Sequence, residues 1–269
     1  MHLIDTHSHL YAQQFDNDRS EVIHRAKTAG IQAILLPNED AESVRAILEL
    51  CDQEPDFAFP MMGLHPTSVD GNYIQELGKI ETALTKRNYF AIGEIGIDLY
   101  WDKKYHQEQK TVFKEQLQWA VELQLPVSIH LRNSFAETLD CIYQTGADRL
   151  KGVFHCFGGT TEQWDEIANL TSFLVGIGGI VTYKNNVLAD TLKHIPLEKI
   201  VLETDSPYLA PVPFRGKRNE PAYLWETAKK VAECHAITTE KLAMTTARNS
   251  LELFAIPIKH VPNEKKLIC

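Results

Sequence analysis

The first ten residues hold side chains whose types and spacing could do chemistry. Asp5, His7 and His9 alternate along Leu-Ile-Asp-Thr-His-Ser-His-Leu. Alternate residues of an extended strand share a face, so the spacing predicts all three on one side. Two imidazoles placed that way can chelate a single divalent ion. Taken alone, His-x-His is as readily a polar strand end with solvated histidines, so residues further along must decide.

They recur at comparable places. Glu94 lies in Ala-Ile-Gly-Glu-Ile-Gly, and a carboxylate among apolar and glycine residues is costly to bury unless paired or metal-bound. His65 ends Gly-Leu-His, His130 ends Pro-Val-Ser-Ile-His, and His155 ends Gly-Val-Phe-His. Asp205 follows Val-Leu-Glu-Thr. Singly, His130 or His155 could be a hydrogen-bonded core histidine, and Asp205 a turn residue before Ser206-Pro207. Together, His7, His9, His130 and His155 with Glu94 and Asp205 point to a two-metal site. Cys156, next to His155, is expected to face the opposite way as core. His2, His24, His106, His194, His235 and His260 fall on helices, flanks or the tail and read as surface residues.

The elements that must position these groups alternate. Strands are expected at 31–37, 57–64, 89–97, 127–130, 152–156, 173–177 and 199–204 besides the first, each followed by helical periodicity. Capping signals precede helices at Asp18 with Glu21, Ser134 with Glu137, and Thr160 with Gln163. A helix is expected over 185–194, and a Pro/Gly-rich loop over 206–221. Eight β/α units in 269 residues predict an α/β fold, a single (β/α)8 TIM-type barrel over residues 1–255 with a tail at 256–269. The candidates then meet at the C-terminal ends of the strands, where such barrels do their chemistry. A doubly wound sheet would gather ligands at one crevice, whereas these are spread over at least six strands.

Composition narrows the function. No apolar run approaches ~20 residues, so no membrane span is expected. The N-terminus has no basic leader, which makes the cytoplasm the expected location. Five cysteines form no CxxC pair, so neither a disulfide framework nor a structural zinc site is expected. The net charge of −9 does not suit a protein that coats duplex DNA. Any nucleic acid would be held locally, at a site whose positive charge comes mainly from metal ions.

The motifs Asp-Thr-His-Ser-His (5–9), Gly-Leu-His-Pro (63–66), Gly-Glu-Ile-Gly-Ile-Asp (93–98), Ile-His-Leu-Arg (129–132), His-Cys-Phe-Gly-Gly (155–159), Glu-Thr-Asp-Ser-Pro-Tyr-Leu (203–209) and Arg-Gly-Lys-Arg-Asn-Glu-Pro (215–221) resemble the TatD-type metal-dependent deoxyribonucleases of the amidohydrolase superfamily. The resemblance runs from residue 3 to about 255. It differs locally at Leu-Tyr-Trp (99–101), where the family more usually has Tyr-Tyr or Tyr-His. It implies that His7 and His9 hold one ion, that His130 and His155 hold a second, and that Glu94 bridges them. Asp205 would bind beside His7 and His9 and accept a proton from a shared, activated water. His65, Arg132 and the loop carrying Arg215, Lys217 and Arg218 would lie near the phosphate. The expected cofactors are two divalent ions, Mg²⁺ or Mn²⁺ for activity, although four imidazoles also suit Zn²⁺. The expected partner is a single-stranded DNA end, cut by a monomer. Tyr100, Trp101, Tyr208 and Phe214 could stack on a base, but loop packing is the simpler reading. The rival enzyme reading is an amidohydrolase-type barrel that opens a small ester, amide or lactone with the same metal pair. A non-catalytic metal-holding protein is a third, which the full ligand set argues against.

Overall fold

The computed structural model describes residues 2–101, 103–184 and 186–258. Among them, eight strands lie side by side in chain order, every neighbouring pair parallel. They are β1 (Leu3–Asp5), β2 (Ile31–Leu36), β3 (Ala58–Met62), β4 (Ala91–Asp98), β5 (Val127–Arg132), β6 (Gly152–Phe154), β7 (Phe173–Ile177) and β8 (Ile200–Leu202). Helices α1 (Arg19–Thr28), α2 (Ser43–Gln53), α3 (Tyr73–Leu84), α4 (His106–Leu123), α5 (Phe135–Thr145), α6 (Thr161–Ala168) and α7 (Leu188–Thr191) alternate with them. Helices α8 (Leu224–Cys234) and α9 (Thr239–Phe254) follow β8. This is the expected (β/α)8 barrel. Among the described residues no helix is long and apolar enough to cross a membrane.

Two apolar layers hold it. Ile4, Leu35, Phe59, Met61, Val153 and Val201, drawn from five strands, share one inner cluster. Leu253, Phe254 and Ile256 from the end of α9 join that cluster and plug the floor. Ile256 thus packs with the barrel, while residues 259–269 of the expected tail lie outside the described residues, with His260 and Cys269 among them. The second layer is a larger cluster between strands and helices.

Closure between β8 and β1 decides where the site forms. Thr6 donates its N–H to Leu202 O (3.0 Å), Asp205 to His7 O (2.9 Å) and His9 to Ser206 O (2.8 Å). The expected alternation of Asp5, His7 and His9 fails here, because β1 ends at Asp5 and the chain bends at Thr6. Asp5 therefore does not join the histidines. Its Oδ1 accepts from the N–H groups of Thr204 (2.9 Å) and His7 (3.3 Å), and Oδ2 lies 2.6 Å from the Thr204 hydroxyl. The buried carboxyl ties the two ends of the barrel together.

Two capping expectations also fail. Asp18 makes no cap bond, because its carboxylate is gripped by Arg218. Ser134 donates instead to Ile97 O (2.6 Å), fastening α5 to the end of β4. Thr160 with Gln163 does form the capping box. The helix expected over 185–194 is α7 followed by a 3-10 turn (Leu192–His194), with Asn185 outside the described residues.

Burial pushes the Asp5 carboxyl up to about 8, so at neutral pH it is uncharged in the folded, metal-free chain. The unfolded chain ionises it near pH ~4. Its contribution to stability is therefore full below that pH and declines as pH rises to about 8. Asp5→Asn mimics the neutral acid, so its stability relative to wild type should climb across this range in urea titrations. Asp5→Ala leaves buried N–H groups without acceptors and should lose about 1–3 kcal/mol for each.

Candidate metal centre

Glu94 sits within β4 and is 2% exposed. Glycine is required two residues on: Gly96 has φ +151°, and a Cβ there would lie 2.0 Å from His130 O. That close approach sets β4 against β5 and brings Glu94 to His130. The two Glu94 oxygens face different groups. Oε2 lies 3.1 Å from His7 Nε2 and 3.7 Å from His9 Nε2. Asp205 Oδ1 adjoins the same two nitrogens, at 3.9 and 3.4 Å. Oε1 lies 2.8 Å from His130 Nδ1, 3.2 Å from His155 Nε2 and 3.3 Å from His65 Nε2. The chain thus gathers nitrogen atoms around each oxygen of a single carboxylate. Among the described residues the groups compact enough to hold a metal ion are His7 with His9 and Glu94, His65 with Glu94 and His130, and His7 with His155 and Glu203.

The outer nitrogens show which imidazoles can ligate. His155 Nδ1 meets Glu203 Oε1 (3.0 Å), and His130 Nε2 meets Asp98 Oδ2 (2.8 Å). A carboxylate accepts the outer proton and leaves the inner nitrogen a lone pair for a cation. His9 Nδ1 lies 2.9 Å from Tyr11 Oη, whose hydroxyl donates to Glu39, so His9 is the donor to Tyr11. His7 Nδ1 lies 3.3 Å from Ser128 Oγ. His65 is the reverse case. Its Nδ1 accepts the Thr67 N–H (3.1 Å), which puts the proton of the neutral ring on Nε2, toward the cavity. His65 thus turns an N–H toward the cavity, whereas the other four can turn a lone pair toward it.

Charge follows the same plan. Burial works against an ionised Glu94, but His155, His65 and His7 outweigh it and hold the carboxyl well below its usual range. Burial opposes a charged His155, yet Glu94 and Glu203 raise its pKa well above the ordinary imidazole value. Burial also opposes charge on His130, where Asp98 and Glu94 prevail, and on His9, where Asp205, Glu39 and Glu94 prevail, so both are raised. His7 goes down, through burial and the neighbouring His155. Asp205 is lowered despite burial, through His9, His155 and His7. A donor set of ionised carboxylates whose charge is balanced by protons on imidazoles is one that a divalent cation fits, by displacing those protons.

The other expected site residues are placed less uniformly. Arg132 is exposed at the rim, its guanidinium 3.7 Å over the Tyr100 ring, and it lines the same cavity as His9, Glu94 and Asp205. Arg215 is exposed and lies over Tyr183 (4.4 Å), and Lys217 is exposed; neither lines that cavity. Arg218 departs from expectation. It grips both Asp18 oxygens (2.7 and 2.6 Å) and Gln14 O (2.6 Å), so it anchors the loop to the start of α1. Cys156 departs too. The strand stops at Phe154, Cys156 has φ +48°, and it lines the cavity instead of the helix layer. The sequence reading passed over Glu203 and Asp98. Both are acidic residues in apolar strand segments, the very signal that singled out Glu94. Tyr11 and Glu39 carried no such signal.

Glu203→Gln removes the charge that orients His155. It should weaken divalent-metal binding about 10–100-fold with the far-UV circular dichroism unchanged, as read by competition with a chromogenic chelator. Affinity within about twofold of wild type would mean that His155 is oriented by other groups. In the same titration the wild type should bind metal more tightly at about pH 8 than at about pH 6, because protons compete for His9, His130 and His155.

Comparison with known proteins agrees with this geometry. The family model described as TatD related DNase matches residues 4–255. An uncharacterized metal-dependent hydrolase of Bacillus subtilis, YabD, is 37% identical over 94% of this chain and 99% of its own length. A protein of a Rahnella species named 3′-5′ ssDNA/RNA exonuclease TatD is 34% identical over 92% and 96%. The crystal structure of the TatD homologue YjjV of Escherichia coli K12 superposes with a TM-score of 0.88 at 29% identity, covering 95% of this chain and 98% of that one. With a match along nearly its whole length and a barrel mouth built to hold metal, the chain belongs to the TatD family of metal-dependent hydrolases.

Proposed function

We propose that this protein hydrolyses phosphodiester bonds of DNA, working from single-stranded ends with two divalent cations. The observation that carries the reading is the division of ligands between the two oxygens of Glu94, beside one open cavity of about 560 Å³. A carboxylate so placed suits a bridge between two ions, the arrangement that clamps both oxygens of an in-line displacement. The exonuclease name of the Rahnella relative supports the choice of substrate.

In this reading His7, His9 and Asp205 would hold one cation, His130 and His155 the other, with Glu94 shared between them. Divalent ions bound there would supply Lewis-acid polarisation of the phosphoryl group and would lower the pKa of a bound water toward neutrality. Mg²⁺ or Mn²⁺ serves turnover, and the imidazole-rich set also takes Zn²⁺. Asp205 lines the cavity, is ionised through its histidine neighbours, and accepts the proton of the attacking water. Its aim is fixed by a left-handed backbone (φ +54°) and by the N–H bond to His7 O. His65 donates from Nε2 to a phosphate oxygen, and Arg132 adds positive charge at the rim. Arg215 and Lys217, outside the cavity, meet flanking phosphates.

Wild-type protein with Mg²⁺ should shorten an end-labelled single strand stepwise and spare one blocked at both ends. Asp205→Asn should lower kcat by about 10²–10⁴-fold. Random internal cuts in the doubly blocked strand would overturn the end model. Turnover of a panel of small esters and lactones, with DNA left intact, would favour the amidohydrolase alternative.

A further inference from the structure

Among the large apolar side chains of the described residues, Trp101 stands out at the mouth. It is 72% exposed, although it belongs to the turn just after Asp98, the partner of His130. It lines the metal cavity and also a smaller adjoining cavity of about 180 Å³ toward Pro66 and Tyr105. It is therefore a wall shared by two hollows. Of the other rim aromatics, Tyr208 is 47% exposed and lines the cavity edge-on to His9 (6.0 Å, 66°), while two are packed. Phe214 lies flat on Tyr223 (3.8 Å, 7°), and Tyr183 donates its hydroxyl to Ala210 O under Arg215. The Trp101 ring meets Tyr100 at a right angle (4.9 Å, 88°), and the Arg132 guanidinium that covers Tyr100 at 3.7 Å also lies over the indole, at 5.3 Å. Among the described residues no ring is stacked face to face on the indole. The loop-packing expectation holds for Phe214 and fails for Trp101.

An exposed indole at the edge of the cavity that holds the imidazole and carboxylate cluster is a stacking platform for a flat ring. We propose that Trp101 stacks on an unpaired nucleobase of the nucleotide next to the scissile phosphodiester, and so selects single strands. The inference rests on the nuclease reading. A base within a duplex is stacked on both faces and cannot turn one sideways to a rim residue, whereas an unpaired base can. Arg132, held on Tyr100 and lining the metal cavity on the same side, is then placed to meet the phosphate of that nucleotide. Trp101 touches the substrate but exchanges no proton, so its effect belongs in binding.

The test compares wild type, Trp101→Phe and Trp101→Ala on oligothymidylate and on the same strand with an abasic nucleotide at its end. Trp101→Ala should raise KM roughly tenfold on the intact strand with kcat within about twofold, and Trp101→Phe should recover most of the loss. On the abasic strand the three proteins should have equal KM. In metal-loaded Asp205→Asn, oligothymidylate should quench tryptophan emission, and the quench should vanish when Trp101→Phe is added. The other tryptophans, Trp119, Trp164 and Trp225, are buried or half-buried. An unchanged KM for Trp101→Ala on a strand that wild type cleaves overturns the stack and leaves the nuclease reading standing. An equal loss on the abasic strand does the same. A wild type that neither binds nor cleaves strands sinks the nuclease reading and the stack together.

Discussion

A carboxylate removed from water at the mouth of a barrel is stable as an anion only if positive charge surrounds it, and Glu94 meets that condition through five imidazoles drawn from four strand ends. His7 and His9 stand beyond β1, His65 beyond β3, His130 on β5 and His155 beyond β6. None is near Glu94 in sequence. The barrel must close for them to meet, so the charge balance at Glu94 and the seam between β8 and β1 are one constraint seen from two sides. The seam brings Asp205 beside His7 through a main-chain hydrogen bond, and Asp5 holds it shut from below. A slip of either strand at the seam would move Asp205 off the cluster.

Around the imidazoles lies a second ring of partners, Glu203, Asp98, Tyr11 and Ser128, each against the outer nitrogen of a histidine. They give the rings a direction that packing alone would not, since an imidazole flipped end for end fills the same space. Glu203 shows how closely the fold serves this role. A Cβ at position 176 would lie 2.1 Å from its Oε2, so β7 carries a glycine beside the carboxylate that stands just past β8. His65 Nδ1 faces Thr67 instead, accepting its main-chain N–H (3.1 Å) beside its hydroxyl (2.7 Å), which sets this ring apart from the others in the cluster.

The rim is organised by different forces. With nine more acidic than basic side chains, the protein has no basic face to spare, and several of its arginines are committed to structure. Arg25 binds Glu220 through two bonds (2.9 and 2.7 Å), and Arg218 binds Asp18, so the long loop after β8 is laced to α1. The cations that remain at the mouth, Arg132 and Arg215, lie over aromatic rings. The positive potential of the centre thus comes from the histidines and from whatever cations they hold.

What the sequence determined by itself was the alternation of strand and helix and the residues that bear the chemistry. Both are local signals. Short apolar runs against a period of three to four mark the elements, and a charged or imidazole side chain in an apolar strand is conspicuous wherever it falls. Glu203 and Asp98 were as visible as Glu94, but their purpose lay in partners 48 and 32 residues away. The end of β1 at Asp5, the turn of Cys156 into the cavity and the capture of Arg218 by Asp18 were set only by the tertiary structure. Each depends on a group from another part of the chain arriving within hydrogen-bond reach. That distance is decided when the barrel closes, and no window of neighbouring residues contains it.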